Sequence, residues 1–207
     1  NNNAELWADR FEEDISGLFT LQDAIVARLA NSLGYELVKA EASKGAHSTN
    51  PDAIDLTMRG LAAIAQPPTQ EGNLQARSWF EQALKLDPND ADALAGSAMT
   101  YLFDYAFAWG EPGTDYDAKI LGQTGGALAL APNNVRAYAA KSFYLYISNR
   151  PMESLGAANA GLAIDPNYAS LYAARRGAQL SLGHFEEARA DMQQAMRLSP
   201  RDPDIGT

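Results

Sequence analysis

The chain has 207 residues, 26 acidic against 16 basic side chains for a formal charge of −10, and no cysteine. That length can bury a sizeable core, whereas the charge argues against a nucleic-acid partner, because affinity for phosphate rests on Lys and Arg releasing counterions and no basic cluster is present. A disulfide framework is excluded, no apolar run approaches the roughly 18 to 20 residues of a membrane-spanning helix, and a cytoplasmic location is the resulting expectation.

In chain order, Asn1-Asn-Asn-Ala-Glu-Leu-Trp7 has neither a basic leader nor an apolar signal core. Leu18, Leu21, Ile25, Leu29 and Leu33 are spaced by three and four, which places them on one helical face, with Ser16 as its cap and Gly34 at its end. The polar run Lys44-Gly-Ala-His-Ser-Thr-Asn50 reads as a linker, and Asn50-Pro51 has the cap-then-proline arrangement that starts helices. Ile54, Leu56, Met58, Leu61 and Ile64 form the next stripe. Pro67-Pro68 breaks it, and residues 72–86 return with Ala76, Phe80, Ala83 and Leu84 inward. A second hairpin opens near Asp90, carries Leu94, Ala98, Tyr101 and Leu102, and returns through Ile120, Leu121, Leu128 and Leu130. A third covers 135–164 and a fourth 169–198, the latter turning at Leu182-Gly183-His184-Phe185, with Glu186 and Glu187 complementing the dipole of its second helix.

One phrase recurs at the end of each second helix. It reads Ala83-Leu-Lys-Leu86-Asp-Pro88, Ala127-Leu-Ala-Leu130-Ala-Pro132, Gly161-Leu-Ala-Ile164-Asp-Pro166 and Ala195-Met-Arg-Leu198-Ser-Pro200. The last three prolines stand 34 residues apart, a period that marks a stacked helical-hairpin array. Proline has no amide donor and pushes its predecessor out of helical geometry, so each phrase ends a helix. From Pro88 to Pro132 the spacing is 44, and the surplus is expected in Trp109-Gly-Glu-Pro-Gly-Thr-Asp115, where glycine and proline cluster and extra length costs little closure entropy.

The pattern over 52–200 resembles the tetratricopeptide repeat. Ala76, Phe80, Ala83 and Pro88 fit its second helix, as do Ala188, Met192, Ala195 and Pro200 with one substitution. Tyr138 and Tyr172 hold the aromatic of the first helix and Tyr101 its later tyrosine, while Lys141-Ser142 and Arg175-Arg176 stand where Leu-Gly is usual, which implies looser helix contact in the fourth hairpin. A second resemblance lies in Leu6-Trp7-Ala-Asp-Arg10-Phe11-Glu-Glu-Asp-Ile15 and Leu18-Phe-Thr-Leu21-Gln22-Asp23. These residues look like the junction preceding such arrays in bacterial signalling proteins, notably class III adenylate or guanylate cyclases; the junction also occurs behind DNA-binding output domains.

The expected organisation is therefore a junction and linker helix over 1–50, an all-α tetratricopeptide solenoid of about four hairpins over 51–200, and the start of an incomplete repeat over 201–207. Such a segment implies a non-catalytic interaction and regulatory module, either the carboxy-terminal part of a cyclase or a scaffold array, free-standing or attached to a transcriptional output domain. An uncapped last hairpin would leave Phe185, Ala188, Met192 and Met196 uncovered and favour homo-oligomers. The family's concave groove, transferred residue by residue, selects Met99, Leu102, Phe103, Arg136, Phe143 and Tyr146, which suit an apolar or amphipathic protein or peptide, the parent's own catalytic domain included. The same side chains at helical spacing also suit a core. Ala95, Ala139 and Ala173 stand where a carboxylate clamp would need basic or amide groups.

Motifs for chemistry are weak, and no cofactor is expected. Asp87-Pro-Asn89-Asp90-Ala-Asp92 lacks the glycine and bidentate glutamate of a calcium loop and reads as helix capping. Gly122-Gln-Thr-Gly125-Gly126 has no Lys-Ser or Lys-Thr after it and reads as a site of close helix packing. His47 and His184 have no second ligand nearby, and the adjacent acids Glu12-Glu13 and Glu186-Glu187 point in different directions on a helix, so both sets read as solvated.

Overall fold

The computed structural model describes residues 53–199, and the expectations placed on 1–52 and 200–207, including the linker helix, His47, Glu12-Glu13, Pro200 and the incomplete repeat, lie outside them. The described residues form α1 (Ala53–Ile64), α2 (Gln70–Leu86), α3 (Ala91–Ala106), a π-helical turn (Asp117–Leu121) running into α4 (Gly122–Leu130), α5 (Val135–Ile147), α6 (Pro151–Ile164), α7 (Ala169–Leu182) and α8 (Phe185–Leu198). Each odd-numbered helix pairs with the even-numbered helix after it, and each even-numbered helix packs on the next odd-numbered one. The first helices α1, α3, α5 and α7 also touch one another in sequence, whereas among the described residues the second helices do not. The first helices therefore line the inner side of the stack and the second helices splay along its outside.

Local chemistry explains the restart of each hairpin. Asp90 and Asn134, each two residues past a proline, accept the amides of Ala93 (2.9 Å) and Ala137 (3.0 Å) and cap α3 and α5. Asp87 and Asp165 accept the amides of Asn89 (3.0 Å) and Asn167 (2.9 Å), closing the turn around the proline. Asp90 also accepts the hydroxyl of Thr57 at 2.7 Å, which ties this cap to α1. The carboxylates of the 87–92 segment are thus engaged in backbone and inter-helix bonds. Thr69 caps α2 through the Gly72 amide (3.1 Å), two residues earlier than the apolar stripe alone suggests, and Pro151 opens α6 at a position that has no amide partner to lose.

Three first helices finish identically. The amides of Trp109, Arg150 and His184 reach back five residues to the carbonyls of Asp104 (3.0 Å), Leu145 (2.8 Å) and Gln179 (2.9 Å), around a left-handed residue at Ala108, Asn149 and Gly183 with φ of 54°, 63° and 79°. This is the Schellman ending, and only Gly183 is the residue type that enters it without side-chain strain.

The core is built for close approach. Phe80 is fully buried, and its ring lies against Gly60 and Gly96, where a Cβ on either glycine would collide with it. Gly161 admits Leu171 and Tyr138, and Gly177 admits the ring of Tyr146. Next along the stack come Ala98, Leu102, Ile120, Ala140 and Tyr144, then Ala139, Ala158, Leu162 and Leu171. Gly122 and Gly125, by contrast, face open space, and Gly126 makes only ordinary contact with Leu94 at 3.6 Å. The glycine run on α4 is therefore not a close-packing site, because the glycines that admit neighbouring helices are Gly60, Gly96, Gly161 and Gly177.

Where the small-residue pattern lapses, polar contacts take over. Ser142 and Ser154, both fully buried, exchange bonds between α5 and α6: Ser142 Oγ donates to the Ser154 carbonyl (3.0 Å) and Ser154 Oγ to the Ser142 carbonyl (2.8 Å). Arg175 of α7 donates bidentately to the buried Asp191 of α8 at 2.7 and 2.6 Å and to Asn159 of α6 at 2.9 Å. The fourth hairpin is thus clamped by an ion pair where looser contact was expected. That carboxylate holds the Arg175 guanidinium above its ordinary pKa.

Candidate protein-binding groove

The six side chains assigned to the groove fall on the inner helices α3 and α5, but they do not form one uniform surface. Leu102 is 3% exposed and belongs to the second core with Ala98 and Ile120, so it is not groove-lining. An apolar stripe on a helix that is covered on both sides has more than one inward direction, and Leu102 takes the buried one. Met99 and Phe143 pack part of their surface on that core and keep part open. Phe103 is half-buried, with its ring 6.2 Å from that of Phe107. Tyr146 lays its ring over Gly177, bridging the third and fourth hairpins on the inner side. Arg136 pairs with Asp92 at 3.2 Å, and Asn134 Nδ2 donates to the same carboxylate at 3.1 Å. Both ion-pair partners are close to half exposed, so the pair aligns α3 and α5 without contributing more than about 1 kcal/mol.

Ala95 and Ala139, each 1% exposed, belong to the core, the first with Ala127 and Ala137 and the second with Ala158 and Leu171, while Ala173 is half-buried. Buried in this way, Ala95 and Ala139 supply no donor with which to clamp a terminal carboxylate.

Two further features escaped the sequence reading. At the α2–α3 junction, Asn73 Nδ2 donates to Asp104 Oδ1 (2.8 Å) and to the Thr100 carbonyl (2.9 Å), while Arg77 bonds the hydroxyl and carbonyl of Thr100 (3.0 and 2.9 Å) and lies 2.7 Å from Asp104. The Arg77 guanidinium sits 4.2 Å above the ring of Tyr101. Asn73, Thr100 and Asp104 are all buried, making a polar brace inside the stack. The signal available beforehand was an Arg and an Asn one helical turn apart on α2, which periodicity alone assigns to solvent. The second feature is an aromatic row beyond Phe103: Phe107 and Trp109 stack at 4.7 Å and 24°, and Tyr105 lies edge-on to Tyr116 (5.2 Å) and Tyr144 (5.4 Å). Burial, with a hydrogen bond to the Asp117 carboxylate, raises the Tyr144 pKa above that of an ordinary phenol.

His184 stands exposed at the start of α8, and Glu186 pairs with Arg189 at 2.8 Å. Among the described residues no group of three His, Cys, Asp or Glu side chains is placed to hold a metal, and no helix is long and apolar enough to cross a membrane.

This architecture is an all-α helical-repeat solenoid of the tetratricopeptide type, and comparison with known proteins agrees. The family profile described as Tetratricopeptide repeat matches residues 178–202. A thermophilic TPR protein of Thermus thermophilus superposes with a TM-score of 0.66 at 15% identity, over 89% of this chain and 94% of the other. A structure of Pseudomonas aeruginosa pilF gives 0.57 at 18% identity, over 74% of this chain and 64% of the other. At such identities these structures speak for the fold alone. In sequence, 119 residues, or 56% of the chain, are 28% identical to a Rhizobium meliloti (strain 1021) protein named "Putative adenylate cyclase 3", of whose length the chain covers 20%.

Proposed function

We propose that this chain is the non-catalytic regulatory array of a bacterial class III adenylate or guanylate cyclase, binding a protein or peptide segment through the inner face of its first helices. The observation that carries the reading is the similarity to a cyclase-named protein across 119 residues; the partly open Met99, Phe103, Phe143 and Tyr146 on the inner helices support it. A stack of thin hairpins offers extended surface and few enclosed spaces, which suits recognition more than turnover. The partner best suited to that face is apolar or amphipathic, and the parent's own catalytic domain is the first candidate. That assignment puts the array in the cytoplasm, beside the nucleotide substrate of a cyclase. Exposed Phe185 (67%) and Met196 (44%) on α8 offer a second contact through which the parent could self-associate, whereas Ala188 is covered by α7 and Met192 is half-buried.

The test is cyclic-nucleotide production by the full-length parent carrying Phe143→Ala with Tyr146→Ala. Altered turnover in a normally folded protein supports regulation through the groove. Turnover equal to that of the unaltered parent, both with these substitutions and with the array deleted, would overturn it.

A further inference from the structure

We propose that the aromatic arm at the end of α3, formed by Phe107 and Trp109 and followed in the chain by Glu111, Asp115 and Asp117, is a docking platform for a cationic segment of a partner protein. The proposal is separate from the groove: Phe103 leads toward the arm, but neither Phe107 nor Trp109 belongs to the groove set.

The arm exists only in the second hairpin. Its first helix runs three residues longer than that of the third hairpin, and its connection, residues 107–116, has ten residues against three. The extra length does not make a slack loop. Phe107 donates its amide to the Phe103 carbonyl at 2.9 Å, and Trp109 donates to the carbonyl of Asp104 at 3.0 Å. The side chain of Asp104 is in turn held by Arg77 and Asn73, so the buried brace fixes the base of the arm. Gly110, just past Trp109, packs against the Tyr116 side chain, whose hydroxyl a Cβ there would meet. Between Phe107 and Trp109, Ala108 takes the left-handed conformation at φ 54°, where glycine would be the easier residue.

What the arm presents is a stacked pair of rings, with Phe107 48% exposed, held in place before any ligand arrives. Pre-ordering of this kind lowers the entropic cost of binding. The chemistry that fits is cationic. Residues 105–118 carry Glu111, Asp115 and Asp117 and no Lys or Arg, in a chain of formal charge −10. Glu111 and Asp115 are exposed, Asp115 capping the π-helical turn through the Ala118 amide at 3.0 Å, while Asp117 is met by Arg150 at 3.3 Å. Aromatic faces bordered by carboxylates attract guanidinium and ammonium groups through ring quadrupole and charge together. The same contact already occurs within the chain, where Lys119 lies 5.2 Å from the centre of the Tyr101 ring.

The test is anisotropy titration of the chain with a short labelled Arg/Leu amphipathic peptide and with its Glu/Leu counterpart. The expected result is saturable binding of the cationic peptide alone, weakened about tenfold by Phe107→Ala with Trp109→Ala and weakened also by Trp109→Leu, which keeps bulk but loses the ring face. Glu111→Gln should give a smaller loss, and Phe143→Ala in the groove no change. Absence of binding, equal binding of both peptides, or an affinity that Trp109→Leu and the double variant leave untouched while both keep their helical spectrum would overturn the proposal. Loss on Phe143→Ala without loss on Trp109→Leu would place the cationic site in the groove and refute the arm.

Discussion

The second and third hairpins of this solenoid do the same structural task with connections of ten and three residues, yet their returning segments, 117–130 and 151–164, are equal in length and stand at the same distance from the proline that follows. The whole insertion is absorbed before the return begins. This teaches that the repeat is registered by its ends, the cap after one proline and the stop before the next, and that the turn between its helices is free to grow. Closure entropy rises slowly with loop length, so the extra residues cost little as long as both anchors hold. In the third hairpin the turn is merely closed, whereas in the second it is elaborated into an anchored aromatic arm.

The comparison can be broken most severely at the core that both hairpins lean on. Phe80→Ala should cost about 3 to 5 kcal/mol in a denaturant melt, because the ring fills the space left by Gly60 and Gly96 and no small neighbour can collapse into it. A near-neutral result would show that the first and second hairpins are not packed in this register. Next in size, Asp104→Ala should lose about 3 kcal/mol by leaving the Arg77 guanidinium buried and unpaired, while Asp92→Ala, at the exposed pair with Arg136, should lose under about 1 kcal/mol. Equal losses at the two sites would deny the brace its role at the base of the arm.

The endings of the first helices sharpen the contrast further. Ala108→Gly should stabilise by about 1 kcal/mol, Asn149→Gly by less, and Gly183→Ala should destabilise by about 1 kcal/mol, since the three share one left-handed position and differ in the strain a side chain adds there. Thermal melts of the three variants read this order directly. The smallest effect concerns Tyr144, which joins the two hairpins. Its folded-state pKa is raised above the ordinary 10.0, so its contribution is complete below about pH 10 and is lost as pH rises beyond that, when the unfolded chain ionises first. Tyr144→Phe should flatten the alkaline limb of the stability profile and, by removing the hydrogen bond to Asp117, cost under about 1 kcal/mol at neutral pH.

The groove shows how far residue pattern reaches and where it stops. The helix start at Asp90 was legible because capping is local chemistry, and the third and fourth hairpins were legible to the residue because two prolines and their phrases bracket each. Leu102 was misplaced for a reason of the same physics: on an inner helix, one apolar stripe serves the groove and another the core, and composition does not distinguish them. The ion-pair clamp at Arg175 and Asp191 was illegible because neither residue repeats at the period.

By itself, the order of residues determined that the described residues are all-α and that their helices stop and restart around Pro88, Pro132 and Pro166, since those features depend on bonds within a few residues. Tertiary structure alone decided which glycines admit a neighbouring ring, which stripe of α3 is buried, where polar side chains replace small ones, and that the surplus of the second hairpin becomes an ordered arm. Each of those depends on what another hairpin places within a few ångströms, and no local pattern carries that distance.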